Sequence, residues 1–174
     1  MISVAEAFTA AARRQPGNAL HSARAVLGYA DAFGISFDDA RWAWPLAARA
    51  AHELGDTATS RDLLTLLDSS QPGHLAPMLR AERDLVGARL AASAGEQDAA
   101  ASFAAAIGSL RELSTPYHLA HGLLDHAQHL LRLGDTSAAA IAVAEARDIA
   151  DRLGCQPLLA RAAGLMPAKS RTGA

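Results

Sequence analysis

Apolar residues recur at the spacing of amphipathic helices along most of the chain, and the segments between them carry glycine and proline. This pattern predicts eight main helices and a short ninth helix opened by Pro157. We expect the helices at about 3–14, 20–33, 40–54, 57–69, 77–94, 97–113, 116–133, 136–153 and 157–165. A start of the third helix near residue 41 would place Pro45 in the first turn, where proline is tolerated.

Four glycines divide the helical pattern at a nearly constant spacing. Gly17, Gly55, Gly95 and Gly134 are separated by 38, 40 and 39 residues. Glycine readily adopts the left-handed conformation that ends a helix, so each of these positions predicts a tight turn between two antiparallel helices. A period of this length corresponds to one helical hairpin and its connection. The stretch 33–39 is predicted to be a loop between hairpins.

Composition supports an all-α fold and removes several classes of function. Hydrophobic residues make up 51% of the chain but aromatic residues only 5%, because most apolar positions are alanine or leucine, the strongest helix formers. The net charge is −2, which favours neither nucleic acid nor an anionic membrane as a partner. Cys155 is the single cysteine, so an intrachain disulfide is excluded. No apolar run approaches the roughly 18 residues of a membrane span, and we expect a cytoplasmic protein.

The segment "LVGARLAASAGEQDAAASFAAA", residues 85–106, resembles a tetratricopeptide repeat. The small and large positions of that repeat are matched, in order, by Gly87, Leu90, Ala99, Phe103 and Ala106. The resemblance implies a right-handed α-α superhelix of about four hairpins, closed by a short C-terminal capping helix. The helical-repeat domain would cover residues 1–165, followed by a flexible tail at 166–174.

A second resemblance covers residues 40–165. The phrases "WPLAARAAHELGD", "PYHLAHGLLDHAQHLLRLGD" and "EARDIADRLGCQPLLARA" are similar to the C-terminal helical region of bacterial signalling ATPases that carry a nucleotide cyclase or a LuxR-type domain. This resemblance implies a regulatory or interaction role in a bacterial signalling system, with an ATPase or cyclase domain as the partner. The chain would be either a fragment of such a regulator or a stand-alone relative.

Four polar residues share one face of the seventh helix. At about 100° per residue, His118, His121, Asp125 and His129 lie opposite the leucine-rich face. His121 and His129 are about 12 Å apart along the axis, too far for one ion, so we expect no metal site on this face alone. A metal- or His-dependent enzyme, which is the least favoured alternative, would need ligands from a second helix. The face is predicted to be a solvated or packing-edge surface, with a partner-binding surface as the alternative. The charged residues of the fifth helix, Glu82, Asp84 and Arg89, are likewise predicted to be solvated.

The favoured function is a non-enzymatic scaffold that binds a protein or peptide in a concave groove and uses no cofactor. In tetratricopeptide-like proteins the groove is lined by the first helix of each hairpin, and Trp44 would lie in the core behind it. Through the resemblance, the partner-binding positions are Trp42, Arg49, His52, Glu53, Asp84, His121, Gln128 and Arg132. One alternative is a domain that senses a small-molecule effector, which requires a closed pocket with convergent polar groups. Another is a self-associating scaffold such as a homodimer.

Overall fold

The computed structural model describes residues 4–29, 38–70, 73 and 75–165, and within these residues the chain forms nine α-helices and no strand. The helices are α1 Val4–Ala12, α2 Pro16–Leu27, α3 Asp38–Glu53, α4 Thr57–Asp68, α5 Pro77–Ala94, α6 Ala99–Leu113, α7 Pro116–Arg132, α8 Thr136–Arg152 and α9 Gln156–Leu165. The predicted all-α class is therefore confirmed for the described residues. The predicted tail at 166–174 and most of the predicted loop at 33–39 lie outside them.

Local sequence explains where several helices begin. Pro16, Pro77 and Pro116 each occupy the first position of a helix, where the missing N–H costs no hydrogen bond. The carboxylates of Asp56 and Asp135 cap α4 and α8 by accepting hydrogen bonds from backbone N–H groups three residues later, both at 2.9 Å. These side chains fix the start of each helix relative to the turn before it.

The turns follow three of the four predicted glycines. Gly55, Gly95 and Gly134 have φ angles of 69°, 71° and 83°, in the region that favours glycine. The prediction for Gly17 is wrong, because Pro16 starts α2 and places Gly17 inside that helix. The first hairpin turns instead at Arg14, whose φ of 57° is unusual for a residue with a side chain.

The start of α3 also differs from the prediction. The helix begins at Asp38, so Pro45 lies inside it and not in its first turn. Proline removes one hydrogen bond of the helical ladder, and this position is nevertheless fully buried. The neighbouring Trp44 is fully buried, as predicted, and its indole N–H donates to the carbonyl oxygen of Leu63 at 2.9 Å.

Helices that follow one another in the chain pack together, and the odd-numbered helices also contact in succession, from α1 to α3 and onward through α5 and α7 to α9. The apolar core consists of two clusters, one formed mainly by α1 to α5 and the other by α5 to α9. The odd-numbered helices therefore share one side of the stack. None of the described helices combines the length and apolar character needed to cross a bilayer.

Candidate ligand-binding cavity

A cavity of about 780 Å³ lies among five of the helices. Its walls come from α1, the start of α2, the C-terminal half of α3, α7 and α9. One part of the lining is apolar and includes Phe8, Leu46 and Leu158. The first and last described helices thus contribute to the same cavity, although they are separated by most of the chain.

Six of the eight predicted partner-binding residues line this cavity. These six are Arg49, His52, Glu53, His121, Gln128 and Arg132. The other two predicted residues lie elsewhere. Trp42 is half-buried, and its ring stacks on His118 with the ring centroids 6.3 Å apart. Asp84 is exposed and accepts a hydrogen bond at 3.0 Å from Ser109 on α6. Partner binding by any of the eight stays a prediction.

The polar face of α7 is buried, so the predicted solvated surface is wrong. The exposed fractions are 4% for His118, 8% for His121, 3% for Asp125 and 7% for His129. Helix α5 and helix α9 supply the groups that contact the first three residues. His129 faces a different neighbour, because its ring stacks on Phe103 of α6. The predicted face is therefore divided between two environments.

Asp125 joins three helices through its carboxylate. Arg89 on α5 donates from Nε at 2.8 Å and also from Nη2, and Arg161 on α9 donates to the other carboxylate oxygen. Burial alone would raise the pKa of Asp125, but the two guanidinium groups outweigh it and hold that pKa far below its usual range. Asp125 is therefore a permanent anion that holds α5 and α9 against α7.

A second buried pair lies beside it. Glu82 on α5 is fully buried, and its Oε1 atom is 2.6 Å from Nδ1 of His118. Burial would raise the pKa of Glu82, but the hydrogen bond to His118 and the charges of Arg49 and Arg89 lower it below its ordinary value. The predicted solvated positions of Glu82 and Arg89 are therefore wrong, whereas Asp84 on the same helix is exposed as predicted.

Arg49 is the buried cation at the cavity wall. Its exposed fraction is 6%. One nitrogen, Nη1, donates to the hydroxyl oxygen of Tyr117 at 3.3 Å, and the guanidinium carbon lies 5.2 Å from the centre of the same ring. The other two nitrogens, Nε and Nη2, are buried and have no hydrogen-bond partner among the described residues. Buried donors of this kind are costly to leave unsatisfied.

The two imidazoles of the cavity are neutral at physiological pH. Burial, only partly opposed by the charge of Asp125, lowers the pKa of His52 to about 4. Burial and the neighbouring Arg49 and Arg161 lower the pKa of His121 well below its usual value. Nη1 of Arg161 lies 3.3 Å from Nδ1 of His121, and a guanidinium can only donate. Nδ1 of His121 is therefore the acceptor, and the ring proton lies on Nε2.

The charges of the lining residues do not cancel. Four arginines contribute to the cavity, namely Arg14, Arg49, Arg132 and Arg161, and Glu53 is the one carboxylate among the lining residues. The neutral imidazoles add hydrogen-bonding groups without adding charge. The cavity therefore combines an apolar wall with an excess of positively charged side chains, even when Arg161 is set against the buried Asp125 behind it, and this excess favours an anionic group on a bound ligand.

The sequence did not point to two residues that complete this site. Arg161 lies on α9, which was predicted only to cap the stack, and Tyr117 directly follows the proline that opens α7. Proline at the first helical position indicates where α7 begins, and it therefore fixes the direction of Tyr117 relative to His121 one turn later. No comparable signal in the sequence places the ninth helix against the seventh.

Among the described residues, no group of three or more His, Cys, Asp or Glu side chains is arranged to hold a metal ion. Comparison of the chain with protein-family models, curated proteins and solved structures gives no significant match.

Proposed function

We propose that this chain is a non-enzymatic binding domain, built as a tetratricopeptide-like superhelix, that receives the end of a peptide segment in the cavity between α3, α7 and α9. The observation that carries the proposal is the convergence of six predicted groove residues, from α3 and α7, on one cavity of about 780 Å³. Convergent polar groups in a largely apolar concavity are typical of binding sites.

Two features support the superhelical arrangement. Glycines with positive φ recur at residues 55, 95 and 134, at the ends of α3, α5 and α7. Each odd-numbered helix contacts the next odd-numbered helix, as expected when the first helices of successive hairpins form one wall. A strongly curved wall of this kind would bring α1 and α9 to the same cavity.

The chemistry of the lining favours binding over catalysis. The pKa values of His52 and His121 lie well below neutrality, so both imidazoles are weak bases at physiological pH. Asp125 is occupied by two guanidinium groups and is buried behind them. These groups orient hydrogen bonds and set the local potential, which are the tasks of a recognition site.

A small-molecule effector is the second candidate occupant. The ion pair between Arg161 and Asp125 holds α9 over α7, and this limits how far a long peptide can extend along the wall. The cavity volume also falls within the range of about 300–1,000 Å³ that is common for small-molecule sites. In either case, the resemblance to bacterial signalling ATPases leads us to propose a regulatory role, with an ATPase or cyclase domain as the protein that responds.

The proposal can be tested with a variant that fills the cavity. Ala12 is an exposed residue of α1 at the cavity wall, so Ala12→Trp should occupy the space while disturbing few buried contacts. Ala104→Trp, at an exposed position of α6 outside the lining, is the matched control. Peptides selected from an array with free C-termini should bind the wild type and the control equally. They should bind Ala12→Trp at least about tenfold more weakly, because the tryptophan would exclude a peptide side chain from the cavity. Loss of one such anchor commonly lowers the affinity by that factor.

The same variants address the second candidate. A thermal-shift screen of small carboxylic acids, amides and nucleotides should raise the melting temperature of the wild type and the control for any compound that occupies the cavity. Ligands that bind Ala12→Trp as well as they bind the wild type would place binding outside the cavity. The absence of both peptide and small-molecule binding would refute the proposed function.

A further inference from the structure

We propose that the cavity recognises a carboxylate attached to an apolar body, and that the side edge of the Arg49 guanidinium is its bidentate partner. This inference rests on the proposed function and names the class of ligand. The two sources of such a group are the free C-terminus of a peptide that ends in an apolar residue and a small apolar carboxylic acid.

One side of the Arg49 guanidinium is the feature that carries this inference. Nε and Nη2 form the side of a guanidinium group, and two parallel N–H bonds from this edge match the two oxygens of a carboxylate. Within the part of the chain that the structure describes, both atoms are buried without a hydrogen-bond partner, while Nη1 donates to Tyr117. The side chain is more than nine-tenths buried and lies at the cavity wall. Both atoms are closed to solvent in this structure, so the Arg49 side chain has to turn toward the cavity before a ligand carboxylate can satisfy both donors at once.

The neighbouring arginines show how this edge is used when a partner is present. Arg89 presents the same two nitrogens, Nε and Nη2, to one carboxylate oxygen of Asp125, because Arg161 occupies the other oxygen. Arg161 uses Nη2 for Asp125 and Nη1 for His121. Both of these arginines are therefore engaged by groups of the protein, and Arg49 is the buried arginine of this cluster whose side edge has no partner.

A carboxylate of the protein lies near Arg49 without pairing with it. The charge of Arg49 acts on Glu82, yet the Oε1 atom of Glu82 is engaged by His118 and its Oε2 atom has no hydrogen-bond partner. Glu82 thus balances part of the charge of Arg49 without occupying its donors. Glu82 also sets a limit on the ligand, because its charge opposes a second anionic group at the same depth.

The apolar wall indicates what carries the carboxylate. Phe8 lines the cavity with 40% of its surface exposed and is the large apolar side chain that a ligand can cover, whereas Leu46 and Leu158 form buried parts of the same wall. When a ligand covers apolar surface that was exposed to water, the free energy of binding becomes more favourable. A hydrophilic anion such as inorganic phosphate would leave this wall wet, whereas an apolar acid would cover the wall and reach Arg49.

The test compares acids with their neutral amides on the wild-type protein. The probes are phenylacetate with phenylacetamide, and N-acetyl-Ala-Leu-Phe with its C-terminal amide, measured by isothermal titration calorimetry at neutral pH. Each acid should bind at least about tenfold more tightly than its amide, because a bidentate charged hydrogen bond is lost in the amide. Tighter binding of the peptide acid identifies a C-terminus as the source, and tighter binding of phenylacetate identifies a small acid.

Variants of Arg49 connect the effect to the proposed edge. Arg49→Lys keeps the charge but removes the two parallel N–H donors, and it should lower the affinity for the acids at least about tenfold more than the affinity for the amides. Arg80→Gln, which removes an exposed arginine of α5 outside the cavity, is the matched control and should bind like the wild type. Nuclear magnetic resonance supplies a readout that needs no variant, because the Nε–H signal of Arg49 should shift when the acid is added.

The outcomes separate this inference from the proposed function. If acid and amide bind equally and Ala12→Trp blocks both, the carboxylate inference is refuted and the binding cavity stands. If the acids bind more tightly than the amides but Arg49→Lys binds them normally, another cation is responsible and the assignment to Arg49 is overturned. If no probe binds at millimolar concentration, the carboxylate inference fails, and the array and thermal-shift screens decide the proposed function.

Discussion

Replacing Asp125 by Asn tests the buried charge cluster most directly. The Asp125 side chain is 1% exposed and accepts hydrogen bonds from Arg89, which is 3% exposed, and from Arg161, which is 24% exposed. Asparagine preserves the shape but removes the negative charge, so the two guanidinium groups would remain close together without a counter-ion. Removing one partner of a buried ion pair leaves an uncompensated charge in a poorly solvated place.

The expected loss follows from this burial. Breaking a buried ion pair costs about 3–5 kcal/mol, and Arg161 contributes less than Arg89 because water reaches it. We therefore expect Asp125→Asn to lower the free energy of unfolding by about 3–5 kcal/mol, a large part of the roughly 5–15 kcal/mol that is typical of a protein. At this chain length the melting temperature should fall by roughly 6–20 °C.

An exposed ion pair provides the matched control. Asp68 and Arg83 are 2.7 Å apart, but about half of each side chain is exposed. Asp68→Asn should therefore cost about 0–1 kcal/mol. Urea unfolding followed by far-UV circular dichroism measures both variants, and equal dependence on urea concentration would show that the same surface is exposed on unfolding.

Equal losses for Asp125→Asn and Asp68→Asn would refute the reasoning, since the two variants differ chiefly in burial. The pH dependence supplies a second check. The pKa of Asp125 is lowered in the folded protein, so its stabilising contribution is complete above the unfolded pKa near 3.9 and declines as the pH falls below it. Between about pH 5 and 2, the variant should therefore lose stability less steeply than the wild type.

Two further predictions concern glycines and histidines. Gly122→Ala should lower the free energy of unfolding by about 1–2 kcal/mol, because its Cβ would lie 2.6 Å from Cδ1 of Leu110. Gly87→Ala is the control, since the space around the new Cβ is open, and it should raise the free energy of unfolding by about 0.5–1 kcal/mol. Chemical denaturation measures both, and the same sign for the two would contradict the packing argument. The pKa of His52 is lowered to about 4, so the unfolded state takes up more protons and stability should fall as the pH drops from about 6.5 to 4. His52→Gln should flatten this decline, and an unchanged pH profile in denaturation experiments would contradict the assigned pKa.

Much of the helical framework could be predicted from the sequence because its signals are local. Apolar periodicity indicated the helices, and Gly55, Gly95 and Gly134 indicated turns that require a positive φ. The errors also have local causes. Gly17 was interpreted as a turn although Pro16, one residue earlier, begins the second helix. Proline favours the first position of a helix and glycine favours the turn after one, so a glycine that directly follows a proline lies inside the new helix.

The buried polar layer could not be predicted in the same way. A polar stripe on one helix is solvated unless other helices carry complementary charges at the same depth. The partners of Asp125 are Arg89 and Arg161, which lie 36 residues before and after it in the sequence. Periodicity within α7 contains no information about such distant partners. The resemblance to tetratricopeptide repeats predicts eight groove residues, and six of them line the cavity, but their role in binding stays a prediction. Asp84 is exposed, whereas Glu82 and Arg89 on the same helix are buried.

The attachment of α9 to α7 has a consequence for how the molecule unfolds. Stacked hairpins that touch only their neighbours can fray from either end, because each unit depends on the next one alone. Here Arg161 is tied to Asp125, and through it to Arg89 in the middle of the stack. Loss of the last helix would break the ion pair between Arg161 and Asp125 and uncover a carboxylate that is 1% exposed, so fraying from the C-terminal end is penalised. We expect this half of the chain to lose its structure cooperatively, with amide protons of α5, α7 and α9 exchanging at similar rates.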